Sequence, residues 1–159
     1  MYLLEVGNNC CRFLLINIEI RSMNYWLIKS EPFKYSWEQF EKDGSTFWDG
    51  VRNYGARNNL RAMKKGDLAF WYHSNEGVEI VGIAKIIKEA YQDPTTPEPA
   101  WVVVDVKPFK KLKQSVPLAT IKQDPRLANM DLVRFGRLSV QTVKPEEWAI
   151  ILEMAKTKL

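Results

Sequence analysis

The run DLAFWYHSNEGVEIVGIAKIIKEAY, residues 67–91, constrains the fold more than any other stretch of the chain. DLAFWYHS is dense in aromatic and aliphatic side chains and reads as a buried strand. Asn75-Glu76-Gly77 is turn chemistry, since Asn and Gly accept the left-handed backbone of a tight reversal. VEIVGIAKIIKEAY then returns as the partner strand. Two strands joined by so short a turn pair antiparallel, because a parallel partner needs a long crossover. Gly82 inside the second strand predicts a bulge or the close approach of another group. WVVVDVKPF (101–109) is a third strand, with Val102, Val104 and Val106 on one face and Asp105 and Lys107 on the other.

The flanking segments add short elements. NYWLIK (24–29) is an apolar strand that ends at Glu31-Pro32. Ser36 and Gln39 form a capping box that opens a helix over SWEQFEK, closed by Gly44. A helix is expected from about Asn53 to Lys64, with Ala56, Leu60 and Met63 facing the core. PLATIKQD and PRLANM read as short helices begun by proline, and RLSVQTV (137–143) as a last strand. Pro145 opens a final helix with Trp148, Ile151, Leu152 and Ala155 as its apolar stripe. No regular strand–helix–strand alternation is present. The expected class is α+β, on a mostly antiparallel, curved or barrel-like sheet of about five strands.

At 159 residues and 46% apolar composition the chain suits one domain. Residues 1–22 lack the basic start and unbroken apolar run of a secretory signal, and are too interrupted to span a bilayer. They are expected to be an extension, even the product of a start placed too early, with the domain proper at 23–159; the alternative makes CRFLLINIEI one more strand. Cys10 and Cys11 are adjacent and form no disulfide framework. A reducing compartment follows, the cytoplasm, or the nucleus in a eukaryote.

Inventory argues against most enzymes. There is a single histidine, His73, and there is no phosphate loop, dinucleotide fingerprint or nucleophile elbow. One pattern, Asp93 with Asp105 and Lys107, loosely resembles a Mg²⁺-dependent nuclease core. Alternating charge on a strand is more often its solvated face.

WDGVRNYGARNN (48–59) is different in kind. It holds the three things needed to read a base outside its helix: a ring face, polar edges and cations. Trp48 or Tyr54 supplies the first, Asp49, Asn53 and Asn58 the second, and Arg52, Arg57 and Arg61 the third. Asp49-Gly50 makes a sharp turn that brings backbone close to a ligand. A net charge of +4 and a pI near 9.0 favour an anionic partner, nucleic acid first. Lys107, Lys110, Lys111 and Lys113 are a second phosphate-facing patch or, more commonly, a solvated strand end.

YWLIKSEP (25–32), WDGVRNYGARN (48–58), FWYHS (70–74), IVGIAKI (80–86), YQDPT (91–95) and RLSV (137–140) together resemble the EVE domain family, in that family's order and over about residues 24–157. The resemblance implies a PUA-like pseudo-β-barrel of five to six mostly antiparallel strands flanked by short helices. It implies no catalysis, cofactor or metal, and a reader of modified bases, especially C5-modified cytosine in DNA, that captures a flipped base. Carried over by motif, the implied site is Trp26, Lys29, Ser30 and Glu31; Trp48, Val51, Arg52, Asn53, Arg57 and Asn58; Tyr72, His73 and Ser74; and Arg137, Leu138 and Ser139. Trp26 and Trp48 are the expected stacking walls, Asn53, Ser74 and Ser139 the edge readers, and Arg52, Arg57 and Arg137 the clamps. Trp26 alternates with Tyr25 and Leu27, which read as core, whereas Tyr72 shares parity with the core residue Phe70. Gly55 departs from the family pattern, which carries a longer polar side chain there, often Gln. The expected protein is a monomer that acts on nucleic acid, with no membrane partner. RNA binding, the Asp93/Asp105/Lys107 nuclease and a small-molecule sensor are the rival readings.

Overall fold

The computed structural model describes residues 22–159; residues 1–21, all but the last residue of the expected extension 1–22, lie outside the described residues. Six strands form one sheet: β1 (Tyr25–Ser30), β2 (Thr46–Phe47), β3 (Leu68–His73), β4 (Glu79–Gln92), β5 (Val102–Pro117) and β6 (Val140–Val143). Their order across the sheet is β2-β5-β4-β3-β1-β6. Every pairing is antiparallel except β1 with β3. The helices are α1 (Trp37–Asp43), α2 (Tyr54–Ala62), α3 (Leu118–Gln123), α4 (Asp131–Arg134) and α5 (Pro145–Met154), with a 3₁₀ turn at Pro125–Leu127. The α+β class and the hairpin over 67–92 are as expected, and Asn75 and Gly77 adopt the positive φ values of the turn.

Helices cover both faces of the sheet, so there are two cores. On one face Trp37 and Phe40 of α1 and Ala56 and Leu60 of α2 pack on Trp26, Ile28, Ala69, Trp71 and the valines of β5. On the other, Ile121, Leu127, Leu132, Trp148 and Ile151 pack on Leu27, Phe70, Tyr72, Ile80 and Ile83. Trp71 centres the first, stacked on Phe40 at 4.3 Å; Trp148 centres the second, 3.8 Å from Phe70. Each large buried ring contributes about 2–3 kcal/mol through the area it removes from water.

The two long strands change sides through bulges. Between the pairs Ile83↔Lys110 and Ala84↔Pro108, β5 carries one extra residue, Phe109. One extra residue inverts the alternation. Val102, Val104 and Val106 therefore enter the first core, while Leu112 and Val116, equally even-numbered, enter the second. On β4 the extra residue opposite β3 is Val81, beside Gly82. Gly82 also meets the Trp37 ring, where a Cβ would lie 2.6 Å from ring carbons. Both consequences expected of that glycine occur.

Strand β5 runs on to Pro117, well past the expected end at Phe109. Its lysine-rich second half is open to solvent on one edge because β2 pairs only with residues 105 and 106. Beyond that point β5 is the sheet edge, where Lys and Pro are at home. The expected strand 137–143 narrows to Val140–Val143, and Arg137 and Leu138 belong instead to a turn closed by Leu138 N–H donating to Phe135 O at 3.2 Å.

Candidate nucleic-acid interface

Because β1 and β3 run parallel, their carboxyl ends lie side by side, with Ser30 opposite His73. Strand β6 starts at the same end. The backbone ties the three together: Ser74 N–H donates to Ser30 O at 2.8 Å, and Lys29 N–H to Ser139 O at 3.0 Å. Chains leaving the ends of parallel strands diverge and open a crevice. Here that crevice is a cleft of about 680 Å³, within the range of ligand sites.

Four separate segments bring Lys29, Ser30 and Glu31, Trp48, Ser74, and Arg137 and Ser139 to this cleft. Trp48 is placed by the sheet edge: Thr46 and Phe47 pair with Val106 and Asp105, and Trp48 N–H donates to Val104 O at 2.8 Å. Its ring stands edge-on to Trp71 at 5.0 Å and is 9% exposed, so it is a rigid wall. Asp49 and Gly50 complete that side; Gly50 takes φ 75°, the left-handed turn expected of it. Tyr35, Thr46, Phe47, Lys34, Asn75 and Gly136 also line the cleft, and motif reasoning missed them. Phe47, an aromatic 40% exposed directly before Trp48, was the available signal.

The polar groups are ordered. Ser30 Oγ–H donates to Tyr35 O at 2.5 Å, so the oxygen offers only acceptor capacity to a ligand. Lys29 Nζ donates to Gly136 O at 2.7 Å, and burial lowers its pKa. It is a partly desolvated cation held in place. Tyr35 is pushed up to about 12 by burial, by its hydrogen bond to Asp43 and by that carboxylate's charge, and stays a neutral phenol. Lys34 pairs with Glu31 at 3.1 Å, an exposed contact worth little. In all, three cations, Lys29, Lys34 and Arg137, face two carboxylates, Glu31 and Asp49.

The remaining expected residues lie elsewhere. Trp26 is not at the mouth: its ring is in the first core, and its Nε1–H donates to Asp67 at 3.0 Å. Its alternation with Leu27 pointed correctly to the other face, but that face is covered as well. Tyr72 is in the second core with Phe70, as parity implied. Val51 is buried, and Leu138 packs against the first core. His73 Nε2 accepts from Trp37 N–H at 3.4 Å; burial lowers its pKa, while Glu38 and Glu79 oppose the shift. Asn53 is the N-cap of α2, its Oδ1 accepting from Ala56 N–H. A Cβ at Gly55 would sit 3.2 Å from that oxygen and 3.5 Å from Leu138, so a longer side chain there would crowd the cap. Arg52 binds Asp93 at 2.9 Å, and Arg57 lies over Tyr54 at 4.8 Å with Asn58 as its partner.

The carboxylates of the nuclease pattern are occupied. Asp93 is fully buried, with Thr95 N–H and Oγ1–H on one oxygen and Arg52 on the other. Asp105 accepts from the Tyr91 hydroxyl at 2.5 Å. Among the described residues no group of three His, Cys, Asp or Glu side chains could hold a metal ion.

A helix-flanked mixed sheet with a small polar cleft at the end of its parallel pair defines a ligand-binding domain of the PUA-like class. The chain matches the EVE domain over residues 24–154 and belongs to that family. It is 39% identical to thymocyte nuclear protein 1 of Gallus gallus, over 84% of this chain and 69% of that protein. A crystal structure of an Agrobacterium tumefaciens protein superposes with a TM-score of 0.83 at 46% identity, covering 84% of this chain and 94% of the other. Human THYN1, crystallised in complex with 5-methylcytosine-containing DNA, superposes with a TM-score of 0.78 at 38% identity, covering 86% of this chain and 99% of the other.

Proposed function

We propose that this protein is a non-enzymatic reader of modified DNA that captures one flipped base, a C5-modified cytosine, in the cleft beside Trp48. The observation that carries the reading is the convergence of Trp48, three serines and Lys29 at one end of β1, β3 and β6. The THYN1 complex with 5-methylcytosine DNA, at 38% identity, supports it.

The chemistry fits the ligand. A flipped base loses its neighbours' stacking, and an indole restores about 1–3 kcal/mol of it. Cytosine differs from thymine at the Watson–Crick edge by an exocyclic amine, which donates. Ser30 Oγ has already given its proton to Tyr35 O and can only accept, so it complements that amine and rejects a carbonyl at the same position. Lys29 and Arg137 line the same cleft and supply the cations that the phosphates flanking an extruded nucleotide require. The reading requires neither cofactor nor metal, and it places the protein wherever modified DNA is held, as a monomer. Among the described residues no helix is long and apolar enough to cross a membrane.

A methyl group settling in an apolar niche contributes on the order of 1 kcal/mol, so preference is about tenfold or less. Titrating duplexes with and without 5-methylcytosine at two salt concentrations tests this. The expected result is a modest preference with a clear salt slope; equal affinity for both duplexes would refute the reading. An RNA competitor that displaces the modified duplex at equal concentration would favour RNA as the partner.

A further inference from the structure

The motif that carries Trp48 into the cleft leads away from it after Gly50 and builds a second surface. On α2, Ala56 and Leu60 face the core. Tyr54, Arg57, Asn58 and Arg61 recur at the helical spacing of three, four and seven and form the opposite face. Tyr54 is 63% exposed. It is nonetheless ordered, with the Arg57 guanidinium 4.8 Å from its centroid and Trp101 5.2 Å away at 32°. Arg52 lies on the far side of the arrangement, 5.6 Å from the Trp101 ring, where Asp93 neutralises it. Arg57 and Arg61 have no such carboxylate: α2 contains no acidic residue, and among the described residues neither forms a salt bridge.

We propose that this outward face of α2, with Trp101 behind it, is a second nucleic-acid contact: Tyr54 takes a neighbouring unstacked base, and Arg57 and Arg61 take the phosphates of that strand. The proposal rests on the cleft as the site of base capture and extends it to the flanking nucleotides. The two surfaces adjoin. Only Val51, Arg52 and Asn53 separate Gly50, on the cleft, from Tyr54, and Leu138, between the cleft residues Arg137 and Ser139, lies beside the first turn of α2, where a Cβ on Gly55 would be 3.5 Å from it. Tyr54 is an exposed aromatic with a guanidinium as one neighbour and an indole as another, which leaves it free to stack on a base. Strand-tracking surfaces combine cations with a stacking ring, and they contribute affinity without regard to the base read in the pocket.

The test compares the full chain with Tyr54→Ala, Tyr54→Phe and the double variant Arg57→Gln/Arg61→Gln, on modified and unmodified duplexes across a salt series. Tyr54→Ala is expected to weaken both duplexes about tenfold, and Tyr54→Phe to keep parental affinity. The double variant is expected to lower the slope of log affinity against log salt by about 2, at an unchanged modified-to-unmodified ratio. Affinities within about twofold of the parent and an unchanged slope would overturn the proposal. So would loss of the modified-base preference alone, since the face would then act through the cleft. A parent without preference, together with a reduced slope in the double variant, would uphold this contact and refute the base-reading cleft instead.

Discussion

Gly82→Ala tests the packing that supports the cleft. An ideal Cβ at this position would lie 2.6, 2.6 and 2.8 Å from three carbons of the Trp37 ring. Ordinary carbon contacts start near 3.5 Å, so the ring would have to retreat by almost 1 Å. It has nowhere to go. Trp37 is 1% exposed, packs edge-on against Phe40 and Trp71 at 5.5 and 5.7 Å, and donates its Nε1–H to Glu41 at 2.7 Å. Overpacking of this kind costs about 1–3 kcal/mol, and the confined ring puts the substitution at the upper end. For a domain of this size that is a fall in Tm of roughly 6–12 °C. Gly44→Ala is the matched control: its φ of 74° strains any Cβ, but nothing lies within 4 Å of it. Its cost is about 1–2 kcal/mol, from the backbone alone. Thermal and urea melts of both variants provide the comparison. If Gly82→Ala lost less than Gly44→Ala, Trp37 would not lie on β4 as described, and the position of α1 behind Tyr35 and Ser30 would be wrong.

Three further outcomes are expected. His73 has its pKa lowered from 6.5, so the unfolded chain takes up the proton first; its contribution to stability is complete above pH 6.5 and is lost as pH falls toward the lowered folded value. Urea midpoints across that window should therefore fall, and His73→Gln should flatten the fall; an unchanged slope would contradict the assignment. Gln141 is fully buried and its Nε2 donates toward the carbonyls of Asp131, Phe135 and Leu138, so Gln141→Ala should cost about 2 kcal/mol in urea melts and weaken DNA binding by loosening the turn that carries Arg137. Deleting residues 1–22 should leave both Tm and DNA affinity unchanged; a chain that fails to fold would show that the extension belongs to the domain.

Local chemistry was legible in the sequence wherever one short stretch decides the outcome. The 75–77 turn, the Ser36 cap with its bond to Gln39 N–H, and the Gly44 stop all formed where expected. Nonlocal pairing was not legible. Nothing in YWLIKS announces that β1 lies parallel to β3, yet that pairing opens the cleft. Nor does alternation along β1 say which face is open, and both are covered, so Trp26 and Leu27 each entered a core. The two-residue β2 is too short to leave a periodic signal, though it places Trp48. WDGVRNYGARNN is contiguous in sequence but divided in space. Its first residues line the cleft, Asn53 caps a helix, and its arginines stand on a different surface.

The most direct measurement is an amide and indole NMR perturbation map, recorded while a duplex with a single 5-methylcytosine is added. The largest changes are predicted at the Trp48 indole and the amides of Ser30, Ser74 and Ser139, with smaller ones along Tyr54 to Arg61. Changes confined to the lysine-rich edge at 107–113, with Trp48 silent, would contradict base capture in this cleft.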